Sequence, residues 1–358
     1  MNKKRKIGLL ICMLTWITLP LTSIIIKPNS SKKIPYNQIP YNPKLSFYGT
    51  ASPIFIDDLA ENNWSWAEAQ PWCTESGGTY YIENLTINGQ QTNHCIEIRN
   101  SIVSLVVRNC TLVNSSGTGS SPDIFNYGIR LDNVSNTLIQ DNHLTGHSTA
   151  MCVKKSKDIA ILENTLELCA NGIFFGNCTY INVSENEISH TSNAAIWLWD
   201  CENMIISENS IHDNLWAMPI IDFCINNVIV GNNFSDNRDA VYLDNDPVNN
   251  MFYLNRFTNN VNIDAMDWTI EGATAWDNGS VGNYWDRYPG NDQDGDGIGD
   301  IPYDLPYSDN VDRFPIGKFE YPRGTLPVIS FGNYFWIFTV IGVASLVVFV
   351  RKRINWSN

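Results

Sequence analysis

An acidic loop near residue 300 carries the strongest local chemistry in this sequence. Its carboxylates alternate along the chain: Asp292, Asp294, Asp296 and Asp300. Alternating carboxylates with Gly297 at the sixth position let a tight turn present several oxygens to one hard cation, which predicts a structural Ca²⁺ site. An EF-hand loop would have Glu at its twelfth position, where this chain has Tyr303. The alternative interpretation is a solvated acidic turn without a metal.

A second acidic set recurs at intervals of 22 or 23 residues. Its members are Asp200, Asp222, Asp244 and Asp267. This spacing predicts that they stack on four adjacent turns of a repeat. One interpretation is that they cap backbone amides at corners. The other is a catalytic metal or sugar site, in which neighbouring carboxylates raise one another's pKa and act as acid and base. A lyase of this kind would hold Ca²⁺ against an acidic sugar and use Arg238 or Arg256 as the base.

Aromatic residues accompany the second acidic set. Alternation predicts inward side chains at Ile173, Ile196, Met218, Val241 and Ile263. It therefore predicts an outward stripe of Phe174, Trp197, Pro219 and Tyr242, with Trp199 on the same face. Exposed rings on a flat face suit stacking on sugar rings, so Phe174, Trp197, Trp199 and Tyr242 are the predicted carbohydrate-binding residues. The alternative is that the stripe packs under a long loop or the N-terminal cap.

A repeat of 22 or 23 residues must position these groups. Its first residues are Asn142, Asn164, Asn186, Asn209, Asn232 and Asn255, and Asn84 and Asn109 extend the set to eight turns at longer intervals. The period is too short for a pair of helices and fits one turn of a solenoid with three short strands. We expect an all-β, right-handed parallel β-helix in which stacked asparagines bond along one corner.

Composition agrees with this prediction and excludes one class of partner. The chain contains 44 asparagines, and its 44% hydrophobic content can fill a core. Residues 27–332 contain 37 acidic and 16 basic side chains, a net charge of −21. Phosphate contacts need Lys and Arg, so no nucleic-acid partner is expected.

The two ends are basic and apolar. Residues 1–27 are predicted to be a signal peptide or signal anchor, and 334–350 a transmembrane helix followed by a cytoplasmic tail at 351–358. Between them we expect a linker at 28–44, an N-terminal cap at 45–82, the β-helix at 83–270, a C-terminal cap with the acidic loop at 271–318 and a linker at 319–333. The positive-inside rule places the body outside the cell membrane.

The cysteines and glycosylation sequons fit an extracellular body. Cys178, Cys201 and Cys224 fall at one inward corner, where they are expected to be small buried residues rather than disulfide or metal groups. Cys73 and Cys95 are the better disulfide candidates. Several N-x-S/T sequons, such as Asn133 and Asn278, predict a glycoprotein.

The repeat resembles a known family. Its turns look like the right-handed β-helix repeats of the NosD-like, carbohydrate-binding and sugar-hydrolysis (CASH) group, which is also similar to pectate lyases. The stretches 77–89 and 282–303 resemble the first and last turns of archaeal surface-protein members. The acidic loop resembles the short repeats of dockerins and thrombospondins. The resemblance covers about 50–318 and implies the fold more strongly than an activity.

Four functions remain open at this point. The leading prediction is a membrane-anchored extracellular β-helix that binds a surface glycan or another polysaccharide. The alternatives are a polysaccharide lyase or glycoside hydrolase that uses the Asp set, a structural surface protein or adhesin, and a copper-related accessory protein. Copper is poorly supported because the five histidines form no regular ladder: His94, His143, His147, His190 and His212.

Overall fold

The computed structural model describes residues 49–117, 126–245 and 247–317. They form a right-handed parallel β-solenoid of about eight turns, as predicted. Each turn contributes one short strand to each of three parallel sheets, which we call A, B and C. Parallel neighbours lie about 4.8 Å apart, so every turn buries its apolar residues against those of the next turn.

The strands of sheet A are Gly49–Ala51, Leu85–Asn88, Thr111–Val113, His143–Thr145, Thr165–Glu167, Glu187–Ser189, Ser210–His212, Asn233–Ser235, Arg256–Thr258 and Tyr284–Trp285. Sheet B comprises Ile54–Asp57, Ile96–Ser101, the first part of Tyr127–Gln140, Thr149–Lys154, Asn171–Gly176, Ile196–Trp199, Trp216–Ile221, Asp239–Asp244 and Ile263–Asp267. Sheet C comprises Thr79–Glu83, Ser104–Arg108, the second part of Tyr127–Gln140, Lys157–Leu162, Thr179–Ser184, Ile205–Ser207, Val228–Val230, Asn250–Tyr253 and Thr274–Ala275, with Cys73–Ser76 antiparallel at its edge. A separate antiparallel pair joins Tyr303–Asp304 to Val311–Asp312.

A buried asparagine ladder runs along the corner that precedes sheet A. In each of six consecutive pairs, the side-chain amide and the backbone N–H both donate to the Oδ1 atom of the asparagine on the next turn. Its members are Asn142, Asn164, Asn186, Asn209, Asn232, Asn255 and Asn283. The predicted stacking of asparagines is therefore confirmed.

The two earliest predicted members do not belong to this ladder. Cys110, rather than Asn109, donates its backbone N–H to Asn142 Oδ1. Asn84 and Asn109 lie one position earlier, with φ of 60° and 51°, and bond to each other. Asparagine tolerates this left-handed backbone, so the same residue type occupies two neighbouring positions and the spacing alone did not separate them.

Additional rungs and aromatic residues close the two ends of the solenoid. Parallel pairing already begins at Gly49, within the predicted N-terminal cap, and the helix Trp64–Glu68 follows the first strand of sheet B. Asn63 caps that helix by accepting from the Trp66 N–H. At the other end, the ring of Trp285 lies 4.3 Å from that of Phe257, so aromatic stacking continues the core into the cap.

The eight described cysteines are all buried free thiols. Cys178, Cys201 and Cys224 point into the core, as predicted for small buried residues. Cys73 and Cys95 form no disulfide, and the Cys95 thiol instead contacts the Ser115 hydroxyl at 3.2 Å.

The predicted signal segment at 1–27 and transmembrane helix at 334–350 lie outside the described residues. Within the described ranges, no helix has the length and apolarity that a bilayer-spanning helix requires.

Candidate functional site

The outer surface of sheet B carries a row of aromatic side chains, which we call the aromatic face. Phe174 pairs in register with Trp197, and Pro219 pairs with Tyr242. Their neighbours in the sequence point inward and are buried: Ile173, Ile196, Met218 and Val241. Alternation along each strand therefore puts the predicted stripe on the outside, as the sequence indicates. The full set of rings is Phe174, Trp197, Trp199, Trp216, Tyr242 and Trp268.

These rings contact one another in two groups. Phe174 lies 5.7 Å from Trp197 in an edge-to-face arrangement and 6.5 Å from Trp199. Tyr242 lies 5.6 Å from Trp216 and 5.4 Å from Trp268. Trp199 and Trp268 remain 47% and 56% exposed, so one ring in each group is open to solvent.

Carboxylates orient two of the rings. Trp199 donates its indole N–H to Asp222 Oδ2 at 2.6 Å, and Tyr242 donates its hydroxyl to Asp244 Oδ2 at 2.7 Å. Burial and the hydrogen bond to Asp244 raise the pKa of Tyr242 to about 12, so the hydroxyl stays protonated. These bonds fix the ring orientations before any ligand binds.

The four predicted acids do not form a single column. Asp200 and Asp222 occupy the same corner, with φ of 52° and 50°. Asp244 pairs with Ile221 and lies one position earlier, and Asp267 pairs with Leu243 and points inward. The prediction of four stacked carboxylates was therefore wrong, because the strands of the later turns are offset by one residue.

Asp267 is a buried residue whose carboxylate is bonded to other side chains of the protein. It accepts from the Trp276 indole N–H at 2.8 Å and from the Asn310 amide at 3.1 Å. The suggested bases are also separated from the remaining acids: Arg256 lies in sheet A over Tyr284, and Arg238 lies beside Asp239.

Trp216 and Trp268 were missed from the sequence. Ile263 is buried, as predicted, but the structure pairs Val241 with Ala265, so Ala265 continues the row of inward residues at that register. Met266 pairs with Tyr242 on the outer side of sheet B. Trp268 comes two positions after Met266 and therefore also points outward. The available signal in the sequence was Ala265, a small apolar residue between Asp264 and Met266, which indicates an inward position less clearly than an isoleucine does.

The acidic loop brings three carboxylates together. One oxygen from each of Asp292, Asp294 and Asp296 lies within 4.8 Å of the others. Asp292 accepts from the N–H groups of Gly295 and Gly297, and both glycines have positive φ. Asp300 closes the turn by accepting from the Gln293 N–H at 2.8 Å. The loop therefore presents oxygen atoms, the ligands that Ca²⁺ prefers.

A family model for the periplasmic copper-binding protein NosD matches residues 69–290. The chain belongs to the NosD family. The match begins in the N-terminal cap and ends before the acidic loop of this NosD-family chain. No curated protein matches its sequence.

Several solved structures are similar to this NosD-family chain at low identity. The periplasmic alginate epimerase AlgG shares 14% identity with a TM-score of 0.43, covering 56% of this chain and 49% of that one. The Dettilon tailspike protein shares 16% identity with a TM-score of 0.41, covering 55% and 42%. A tailspike mutant of an E. coli bacteriophage, in complex with a pentasaccharide, shares 12% identity with a TM-score of 0.40, covering 57% and 42%. The chain thus spans less than half the length of these proteins, and values this low carry no functional inference.

Imidazole and thiolate groups form no cluster of three or more among the described residues of the NosD-family chain. Copper favours imidazole and thiolate ligands. Among the residues that the structure describes, the one convergent group of three or more His, Cys, Asp or Glu is the all-oxygen set of the acidic loop. His147 is buried with Nδ1 accepting from the Ser115 N–H and Nε2 2.9 Å from the Leu112 carbonyl oxygen. Burial lowers its pKa to about 4, as expected for a neutral core histidine.

Proposed function

We propose that this NosD-family protein binds carbohydrate on the aromatic face of sheet B. The observation that carries the proposal is the row of oriented rings on successive turns, in which Trp199 and Trp268 are exposed beside carboxylates. An exposed apolar surface of this kind usually serves a partner. Rings offer apolar surface to the CH groups of a sugar, and carboxylate oxygens accept from its hydroxyl groups.

The solenoid gives the face a linear form that suits a polymer. Strands of adjacent turns are about 4.8 Å apart, so the five steps from Lys154 to Trp268 extend roughly 24 Å along the sheet. A polysaccharide chain lying across the strands would contact several rings at once. The proposed ligand is therefore an oligosaccharide or polysaccharide rather than a single sugar.

A lyase or hydrolase remains the second candidate function. It is favoured by Asp222 and Asp244, which lie on neighbouring turns beside Trp199 and Tyr242. Glycoside hydrolysis commonly uses two carboxyl groups on either side of the scissile bond. Release of shortened oligosaccharides by the protein, lost in Asp222→Asn and Asp244→Asn, would establish this function in place of binding alone.

The binding proposal is tested with a polysaccharide panel. The double variant Trp199→Ala/Trp268→Ala should weaken binding of the best ligand by about tenfold or more, because it removes the two exposed rings. Trp66→Ala is the matched control, since Trp66 is 40% exposed but belongs to the N-terminal helix. Equal binding by the double variant and the control would overturn the proposal. Absence of any ligand for the parent protein would favour a structural surface protein.

We also propose that the acidic loop binds Ca²⁺ and stabilises the C-terminal cap. The support is the convergence of three carboxylates in a turn tied to the cap by the Gly299 N–H, which donates to the Pro315 carbonyl at 2.7 Å. Three converging negative charges repel in the absence of a cation. A bound ion would relieve this repulsion and hold the loop against the end of the solenoid.

The proposed cellular location rests on sequence. We propose that the solenoid lies outside the cytoplasmic membrane, anchored through the apolar segment at 334–350. The basic clusters at both ends and the description of the matched family as periplasmic support this placement.

A further inference from the structure

Charge is distributed unevenly along the aromatic face. Arginine and lysine side chains occupy the turns on the N-terminal side of the rings: Arg99, Arg130 and Lys154. Carboxylates occupy the turns on the C-terminal side: Asp222 and Asp244. A polymer lying along this face would therefore meet positive charge at one end and negative charge at the other.

The two arginines are already neutralised by neighbouring acids. Arg99 Nη2 forms a short ion pair with Glu97 at 2.5 Å. Arg130 lies between Glu97 and Asp132, at 3.4 Å and 3.3 Å. These groups hold each other, so they offer little net charge to a ligand.

Lys154 differs from both arginines. Its half-buried side chain packs on Phe174, with Nζ 5.6 Å from the ring centroid. The ion pairs among the described residues do not include Lys154, and the carboxylate of its register partner Asp132 is bonded to Arg130. The ammonium group therefore lies at the margin of the ring cluster with its positive charge available.

Gly176, which lies next to Lys154 on the following turn, keeps this edge of the ring cluster accessible. Lys154 pairs in register with Gly176, and Gly176 pairs with Trp199. A side chain at residue 176 would crowd the Phe174 ring, whose edge lies 3.1 Å from the site of a Cβ atom. Gly176 thus leaves room for the Phe174 ring, which contacts both the Lys154 ammonium group and the exposed Trp199 ring.

We propose that Lys154 is a specificity residue that pairs with an anionic group, a carboxylate or a sulfate, on a sugar bound to the Phe174–Trp199 end of the aromatic face. This inference rests on the proposed carbohydrate binding and deepens it by naming an acidic polysaccharide as the ligand class. The acids at the opposite end disfavour an anionic group there, so the anionic sugar is expected at the Lys154 end of the face.

The test uses ligands that differ only in charge. Oligomers of polygalacturonate are compared with their methyl esters, and oligomers of a sulfated galactan with the unsulfated form. The parent protein should bind one anionic form about tenfold more tightly than its neutral counterpart, and added salt should reduce the difference. The pair that shows the difference identifies the anionic group as carboxylate or sulfate.

Lys154→Met removes the charge but keeps an apolar stem over Phe174. It should bind both members of the pair equally, at the affinity of the parent for the neutral form, and Lys154→Arg should restore the preference. Lys155→Met is the matched control, because Lys155 is exposed at the adjacent corner, and it should leave the preference unchanged.

Two results would overturn this inference while leaving carbohydrate binding intact. One is a parent protein that binds the neutral forms as tightly as both anionic forms. The other is a preference for an anionic form that survives in Lys154→Met. Failure of every oligomer to bind, charged or neutral, would instead overturn the proposed function itself. A melting temperature of Lys154→Met equal to that of the parent confirms that the fold is intact.

Discussion

A buried asparagine in the main ladder bonds to backbone groups of its own turn and of the preceding turn. Asn209 donates its amide to the carbonyls of Val183 and Ser207 and to Asn232 Oδ1, while its own Oδ1 accepts from Asn186. A turn buried in a stack has no water to satisfy these groups. The ladder therefore allows the corners to lie inside the solenoid.

Asn209→Ala should reduce the free energy of unfolding by about 3–5 kcal/mol. The variant removes the acceptor of the buried Asn186 N–H and the amide donor to the Val183 carbonyl, and each loss costs about 1–3 kcal/mol. Asn233→Ala is the control, since Asn233 is half-buried and makes only a 3.4 Å contact to Ser235. Denaturant unfolding of both variants measures the difference; equal losses would show that the ladder is not a source of stability.

Aspartate ends the main ladder and also a shorter ladder formed by Asn214, Asn237 and Asn260. Asp312 Oδ2 accepts from the N–H of Asn283 and from the indole N–H of Trp285, and Asp264 accepts from the Asn260 amide. The last asparagine of a ladder has donors but no following amide oxygen, and an ionised carboxylate supplies acceptors only. Burial nevertheless raises the pKa of Asp312 to about 6.

The raised pKa of Asp312 predicts a specific pH dependence. The folded state holds the proton more tightly than the unfolded state, whose carboxyl titrates near 3.8. The contribution of Asp312 to stability is therefore complete below pH 3.8 and falls as pH rises to about 6, by about 3 kcal/mol. Asp312→Asn should remove this loss, so the unfolding free energy of the parent minus that of the variant should fall by that amount between pH 3.5 and 7. A difference that stays constant with pH would contradict this assignment, and exposed Asp309→Asn is the control.

At the scale of elements, the acidic loop and sheet B are held in place by different contacts. The loop is exposed and gains order from its own carboxylate-to-backbone bonds, whereas sheet B is held by pairing on both sides and by the core. We expect the loop to respond to ions and the sheet to remain rigid. Rigid rings lose little freedom when a ligand binds, which favours affinity.

Chelation of Ca²⁺ should lower the melting temperature of the purified protein by several degrees. Binding of the ion at 100 times Kd stabilises the folded state by about 2.7 kcal/mol. Asp294→Asn should abolish the response to Ca²⁺, and Asp309→Asn, in the same cap, should keep it. Copper salts should give no comparable increase, because the loop offers only oxygen ligands. An unchanged melting temperature on chelation would contradict the metal assignment.

At the scale of the whole molecule, the period of the repeat was enough to predict the fold, since Asn142 to Asn255 recur at nearly constant spacing. The inward and outward sides of the central strands also followed from alternation. The acid set failed where the repeat became irregular: Asp244 and Asp267 keep the spacing of 22 or 23 residues, but corners of different length move them to other sides of the chain. Spacing along a chain does not determine register when an inserted corner residue changes the pairing.

The net charge of the whole molecule affects how an anionic ligand can be recognised. The body carries a net charge of −21 between residues 27 and 332, which repels polyanions at a distance. An acidic polysaccharide would therefore have to be recognised by local positive charge such as that of Lys154. This is the reason that affinity for an anionic ligand should depend on one lysine more strongly than on net charge.

The most direct test of carbohydrate binding is a crystal structure of the protein with the tightest oligosaccharide of the panel. The account predicts sugar rings in van der Waals contact with Trp199 and Trp268, and a chain that crosses the strands of sheet B. An oligosaccharide bound on sheet A, on sheet C or at an end of the solenoid, with the aromatic face empty, would contradict it.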